Sequence, residues 1–190
     1  MTKEQEQLTI EAVLTGDNAA FAMLVNTYKD RAVNLAYNIL LNTEDAEEVA
    51  QDAFVRVYRS LGDFRGAARF STWLYRVVVN TALNKKKLKK PHSVEITGSL
   101  HETLSSAPDS ISLYQLRAEH KKHINIALQV LTVNERLCIT LYYLEELTVE
   151  EIKAITGISA SNVKVLLFRG RKNLYTALQK YLKTELTHLI

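Results

Sequence analysis

Both prolines of the 190-residue chain, Pro91 and Pro108, fall within one stretch, and helical periodicity stops in that stretch. Proline lacks a backbone N–H and its ring clashes with the preceding turn, so it collects where helices cannot run. From Pro91-His92-Ser93 to Ala107-Pro108-Asp109-Ser110 the sequence is also rich in Ser and Thr, which reads as an extended linker. Apolar residues recur at helical spacing on either side. No internal repeat and no strand pair with hairpin chemistry is found. The expectation is an all-α protein: two small helical domains, residues 5–90 and 113–186, joined by a flexible linker over 91–112. Composition agrees, since 6 Gly and 2 Pro are few for a turn-rich β fold and an apolar fraction of 47% supplies a core.

Helix starts are well marked in the second domain. Thr132-Val133-Asn134-Glu135 and Thr148-Val149-Glu150-Glu151 both fit the capping box, with Thr at the cap and Glu three residues on. Gly157 suits the end of the helix from Thr148 to Thr156, and Ser159 can cap the next one. Helix, short Gly-containing turn, helix is the spacing of a helix-turn-helix. By spacing alone, a helical hairpin within a bundle fits equally well.

The distribution of charge separates these readings better than the net value of +3. From Phe64 to Val94 there is no acid, while Arg65, Arg69, Arg76, Lys85, Lys86, Lys87, Lys89 and Lys90 are basic. From Ile152 to Thr184 acids are again absent, among Lys153, Lys164, Arg169, Arg171, Lys172, Lys180 and Lys183. Glu44 to Asp52 is acidic. Two basic stretches at the ends of helical domains are the footprint of nucleic-acid binding.

At about 100° per residue the helix after Ser159 divides cleanly. Val163, Leu167, Gly170 and Leu174 share a stripe that should face the core. Ser161, Val165, Phe168 and Lys172 lie opposite, flanked by Asn162 and Arg169 on one side and by Lys164 and Arg171 on the other. Such a face suits a major groove: Lys and Arg for phosphate or guanine, Asn for adenine, apolar groups for thymine methyls. Phe168 fits packing against a neighbouring helix equally well.

In the first domain Ser71 is expected to cap a helix running to about Leu88. Leu74, Val77, Val78 and Thr81 form its inner stripe. Trp73, Arg76, Asn80, Asn84 and Lys87 follow one another on a different face. The short loop Phe64-Arg65-Gly66-Ala67-Ala68-Arg69-Phe70 precedes it. Aromatics interleaved with Arg and amides suit unstacked single-stranded bases. Trp73 also fits a core position, and Asn80 a structural hydrogen bond. The acidic helix, from about Thr43 to Leu61, should bury Ala46, Val49, Ala50, Ala53, Phe54 and Val57. Its outer side carries Asp45, Glu48, Gln51, Asp52, Val55, Arg56 and Arg59. Acids early and arginines late match the helix dipole, and an exposed Val within a charged face suits docking to a protein.

Other classes find little support. Cys138 is the only cysteine and lies in an apolar run, so it is expected to be a small buried hydrophobe. His92, His101, His120, His123 and His188 are scattered without metal-site spacing. No nucleophile or phosphate-loop motif is found, so no catalytic residue, metal or cofactor is expected. A duplex-binding regulator would ordinarily dimerise on paired half-sites, yet nothing resembles a dimerisation helix. The basic helix-turn-helix argues against a pure protein-interaction bundle. No signal peptide and no apolar run of roughly 18 residues is seen. A soluble cytoplasmic protein without membrane insertion is expected.

Several segments together resemble the extracytoplasmic-function (ECF) group of the sigma-70 family. They are Gly16-Asp17-Asn18-Ala19-Ala20-Phe21 with Leu24 and Tyr28, Asp45-Ala46-Glu47-Glu48-Val49-Ala50-Gln51-Asp52-Ala53-Phe54, Phe64-Arg65-Gly66, Phe70-Ser71-Thr72-Trp73-Leu74-Tyr75-Arg76 with Asn80, and Leu131 through Leu174. The resemblance covers nearly the whole chain, in order. It implies a sigma factor, not an enzyme: region 2 over 5–90, region 4 over 113–186, and a linker threading toward the polymerase active centre. Asp45, Glu48, Gln51, Asp52, Val55, Arg56 and Arg59 would meet the β′ clamp of core RNA polymerase, which also offers its β flap. Phe64, Arg65, Arg69, Phe70, Trp73, Arg76, Asn80, Asn84 and Lys87 would open and read the minus-10 element of promoter DNA. Ser159, Ser161, Asn162, Lys164, Val165, Phe168, Arg169, Arg171 and Lys172 would read the minus-35 element. An anti-sigma factor is expected as a further partner, and a monomer in the absence of partners. One departure stands out. Val165 and Leu166 occupy positions where many relatives carry polar or basic residues, so a relative's promoter sequence does not transfer directly.

Overall fold

The structure, a computed structural model, describes residues 1–88, 124 and 126–188, with side chains as far as residue 180. The expected linker over 91–112 and the expected start of the second domain lie outside the described residues. Among the described residues there are helices and no strand, as an all-α reading requires.

The first domain is built on α2. Helix α1 (Lys3–Leu14) opens with a capping box between Thr2 and Gln5. Helix α2 (Asn18–Leu40) is capped by the Asp17 carboxylate, which accepts the Ala19 and Ala20 N–H groups. Its Leu24, Ala32, Leu35, Ala36 and Ile39 are wholly buried, and it packs against α1, α3 and α4. Helix α3 (Thr43–Ser60) is capped by Asn42. It buries Ala46, Val49, Ala50, Ala53, Phe54 and Val57, the positions its periodicity selects. A 3-10 turn (Leu61–Asp63) and a loop lead to α4 (Phe70–Leu88). Here the expected cap is corrected. The Trp73 N–H reaches the Arg69 carbonyl at 3.2 Å, so the helix begins at Phe70, and Ser71 sits buried within the first turn.

The second domain follows its local signals closely. Residues 126–129 are helical. Helix α5 (Val133–Ile139) starts in the Thr132–Glu135 capping box and runs into a π-helical turn, Thr140–Leu144. Helix α6 (Val149–Thr156) starts in the Thr148–Glu151 box and ends at Gly157, whose φ of 73° is left-handed. Helix α7 (Ala160–His188) starts at Ser159: its hydroxyl accepts the Asn162 N–H at 3.4 Å and its carbonyl the Val163 N–H at 2.9 Å. Gly170 is where α7 crosses α5. A Cβ there would lie 2.9 Å from Ile139 Cγ1. Cys138 is fully buried, and burial pushes its thiol up to about 11, so it stays protonated and unreactive.

The two domains dock directly, α4 against α6 and α2 against α5. The Arg136 side chain is wholly buried. Its Nε donates to the Asn38 carbonyl near the end of α2, and its Nη1 to the Leu128 and Leu131 carbonyls at 3.2 and 3.3 Å. Burial pushes its pKa down, but a guanidinium keeps its proton, and helix-end carbonyls are natural partners for that charge. Elsewhere between the domains, the Tyr75 hydroxyl donates to the Glu145 carboxylate, with Arg31 3.9 Å from the same carboxylate.

Candidate nucleic-acid interface

The helix-turn-helix presents an open face. Val163 and Leu167 are buried and Gly170 packs on α5, while Ser159, Ser161, Asn162, Lys164, Val165, Phe168, Arg169, Arg171 and Lys172 are all exposed. Phe168 is 65% exposed, which settles it as a surface aromatic within the described fold. Arg171 donates to the Tyr143 hydroxyl at 3.3 Å, which orients its guanidinium along the surface.

The loop before α4 and the first turns of that helix form an open cavity of about 190 Å³ lined by Asp63, Phe64, Arg65, Thr72, Trp73, Arg76 and, from the other domain, Ala154. Gly66 turns the loop at φ 68°. Phe64 stacks against Trp73 with ring centroids 5.2 Å apart. The Thr72 hydroxyl is fully buried and has no hydrogen-bond partner. A buried hydroxyl left unpaired costs about 1–3 kcal/mol, and with no surface open to the cavity it is a local cost of this fold rather than a contact for an entering group. Asn80, Asn84 and Lys87 continue along the exposed side of α4, away from the cavity.

One expected contact residue is corrected. Phe70 is 1% exposed and packs against Tyr28, because the helix starts there and turns the ring inward. It supports the site and cannot touch DNA. Trp73 is half-buried, with its ring shared between cavity and core. The basic run also divides. Lys85 pairs with Asp45 at 3.3 Å and Glu48 at 2.5 Å, and Lys86 donates to the Ile39 carbonyl at 2.9 Å. These two lysines tie α4 to α3 and α2, although Lys86, like Lys87, is exposed.

The same ion pairs correct part of the outer face of α3. The Asp45 side chain, 13% exposed, is turned to Lys85 and is not an open contact. Gln51, Asp52, Arg56 and Arg59 are exposed, and Val55 is 49% exposed between them. Tyr58, 48% exposed, belongs to this patch and escaped the sequence reading, although it stands one turn from Val55. Thr72 and Ala154 also escaped it. Nothing local marks a threonine hydroxyl as unpartnered, and Ala154 arrives only through domain docking.

Family models match the chain in both domains: sigma-70 region 2 over residues 24–90 and sigma-70 region 4 over residues 127–176. The chain is 32% identical to the RNA polymerase sigma-H factor of Pseudomonas aeruginosa, across 96% of this chain and 98% of that one. It is 34% identical to the ECF RNA polymerase sigma factor SigW of Bacillus subtilis, across 92% and 95%. Its fold is similar to that of the sigma factor RpoE of Bartonella quintana, solved in complex with the anti-sigma factor NepR, with a TM-score of 0.63 at 18% identity over 84% of this chain and 96% of that one. With an open helix-turn-helix behind a basic aromatic loop, and full-length likeness to these relatives, the chain belongs to the ECF group of the sigma-70 family of RNA polymerase sigma factors.

Proposed function

We propose that this sigma factor divides promoter-directed initiation among three surfaces. The patch on α3 around Gln51, Asp52, Val55, Tyr58, Arg56 and Arg59 docks on the β′ clamp of core RNA polymerase, and the second domain meets the β flap. The exposed face of α7 reads the minus-35 element as duplex. The loop from Phe64 and the face of α4 with Arg76 and Asn80 capture the minus-10 element as opened strand. Residues 91–112 connect the two readers across the polymerase. An anti-sigma protein is a further partner in this reading, supported by the complex in which the Bartonella relative was solved.

The observation that carries the proposal is the cavity between Phe64 and Arg76. It has an aromatic wall of Phe64 and Trp73 and a cationic rim of Arg65 and Arg76. Base edges in an intact duplex are already paired and stacked. A base that leaves the stack costs a few kcal/mol to expose and exchanges that loss for stacking and edge hydrogen bonds. A regulator acting alone on duplex would leave both this cavity and the α3 patch without a role.

The test uses core polymerase with the full chain on a start site found by run-off transcription of genomic fragments. The double substitution Arg76→Ala with Asn80→Ala spares recruitment to the promoter and abolishes permanganate reactivity of thymines in the opened region. A pre-melted bubble restores transcription. Wild-type opening of an intact duplex by the double variant removes this role from α4.

A further inference from the structure

The helix proposed to capture opened DNA starts without a cap of its own. Its first main-chain bond places Arg69 at the cap position, and an arginine side chain carries donors only. The Phe70 N–H is one of the orphan donors of the first turn. It is accepted by Glu6 Oε2 at 3.1 Å, from a residue 64 positions earlier in the chain. Glu6 lies on α1, ahead of residues 24–90 that match region 2.

Glu6 is 2% exposed, and a carboxylate so buried must have its lone pairs engaged. Oε1 accepts the Tyr28 hydroxyl and lies 3.5 Å from Arg69 Nη2. The same Arg69 nitrogen reaches the Met1 carbonyl at 3.4 Å. Burial and the bond to Glu6 raise the Tyr28 phenol well above its ordinary pKa, so it remains a donor. A negative group at the start of α4 also complements the helix dipole.

What this carboxylate holds stands directly behind the aromatic wall of the cavity. The Phe70 ring stands 6.1 Å from Phe64 and 6.1 Å from Trp73, the two aromatics that line it. Arg69 closes the loop that begins at Phe64. We propose that Glu6 is a positioning residue for strand opening: from α1 it fixes Arg69 and the first turn of α4, so that the aromatic wall is set before a base arrives. Presetting removes an ordering cost that would otherwise fall on base capture. This inference rests on the reading of α4 as the strand-opening element.

Full-length Glu6→Gln and Glu6→Asp are compared with wild type in polymerase complexes, alongside the Arg76→Ala/Asn80→Ala variant. Glutamine removes the charge and aspartate the reach. Each should lower thymine reactivity on intact duplex about tenfold, the scale separating charge-assisted from neutral hydrogen bonds. Both should recover on a pre-melted bubble and bind core polymerase as wild type does. Circular dichroism should record unchanged helical content in at least one of them, and that variant carries the test. Wild-type opening by a folded variant overturns the proposal. So does an equal loss on duplex and bubble, or unfolding of both variants, since each makes Glu6 a general core residue. If the Arg76→Ala/Asn80→Ala variant opens duplex normally, the reading of α4 fails and the proposal falls with it. If only the Glu6 variants open normally, the reading stands and the proposal alone fails.

Discussion

The two helices proposed to meet DNA, α4 and α7, begin in opposite ways. Helix α7 is set by its immediate neighbours: Gly157 ends the preceding helix, Ser159 caps the new one, and Thr148 and Glu151 close the box one helix earlier. Helix α4 has a donor-only residue at its cap position and takes its acceptor from α1. Its middle is tied to the second domain through Tyr75 and Glu145, and its end is held by Asp45, Glu48 and the Ile39 carbonyl. A helix with local caps keeps its start whatever surrounds it. A helix held from afar is positioned by distant parts of its own domain, α1, α2 and α3, which suits an element that must present a shaped cavity rather than an exposed face.

The largest expected effect tests whether the two faces engage different forms of DNA. Replacing Lys164, Arg169, Arg171 and Lys172 together by Ala should lower the slope of log affinity against log salt for duplex by about 3–4 units, close to one for each phosphate left without its cation. The Arg76→Ala/Asn80→Ala variant should change the same duplex slope by about one unit at most. Fluorescence anisotropy over a salt series reads both. Equal slopes for the two variants would erase the proposed division between duplex and opened strand.

Next in size is the anchor between domains. Arg136→Met keeps most of the volume and removes the donors to Asn38, Leu128 and Leu131, at a cost of about 3 kcal/mol for stranded carbonyls. Urea unfolding should give a lower midpoint, and the domains should begin to melt separately. A single unshifted transition would place the coupling elsewhere, in the apolar packing of α4 on α6.

The contrast between α4 and α7 is also a contrast in what the sequence reveals. Capping boxes, the left-handed glycine and the inner stripe of Val163, Leu167 and Gly170 lie within a few residues of what they organise, so the helix-turn-helix is legible. The buried positions of α3 are legible for the same reason, since one helical period decides them. The start of α4 reads as Ser71 because Ser71 and Thr72 are the nearest cap candidates, while the true acceptor is 64 positions away. Phe70 reads as a base platform because it is an aromatic beside arginines, until the helix start turns it inward. Glu6 does leave a trace: Glu6, Thr9, Ile10 and Val13 share one buried stripe of α1, and an acid on such a stripe demands partners. The docking of the domains leaves none, for Arg136 and Asn38 are 98 positions apart.

A smaller effect tests the local half of the comparison. Thr148→Ala removes both side-chain bonds of the threonine hydroxyl at the start of α6 and should cost about 1 kcal/mol. The loss should show in thermal unfolding, while permanganate reactivity in the polymerase complex stays at the wild-type level. A loss of opening would mean that α6 positions the cavity through Ala154, and that the second domain's local signals reach the first domain's site.

The smallest effect is a pH dependence at the junction of the two helices' domains. Burial raises the Glu145 carboxyl above its ordinary value of 4.5, against the opposing pull of the Tyr75 hydroxyl and of Arg31. A carboxyl whose pKa is raised on folding binds its proton more readily in the folded state than in the unfolded one. Its contribution to stability therefore grows as pH falls through the raised value and levels off below 4.5. This is opposite to the usual salt-bridged acid, whose contribution is lost on acidification. Glu145→Gln keeps an oxygen to accept from Tyr75 and removes the titration. The stability of wild type minus that of Glu145→Gln should accordingly rise between neutral pH and about 4.5. Chemical denaturation at a series of pH values reads the difference and cancels the other titrating groups common to both proteins. A difference that falls on acidification would mean that the pair with Arg31 outweighs burial. The junction would then behave as an ordinary ion pair instead of a carboxyl held under cover by the docked domains.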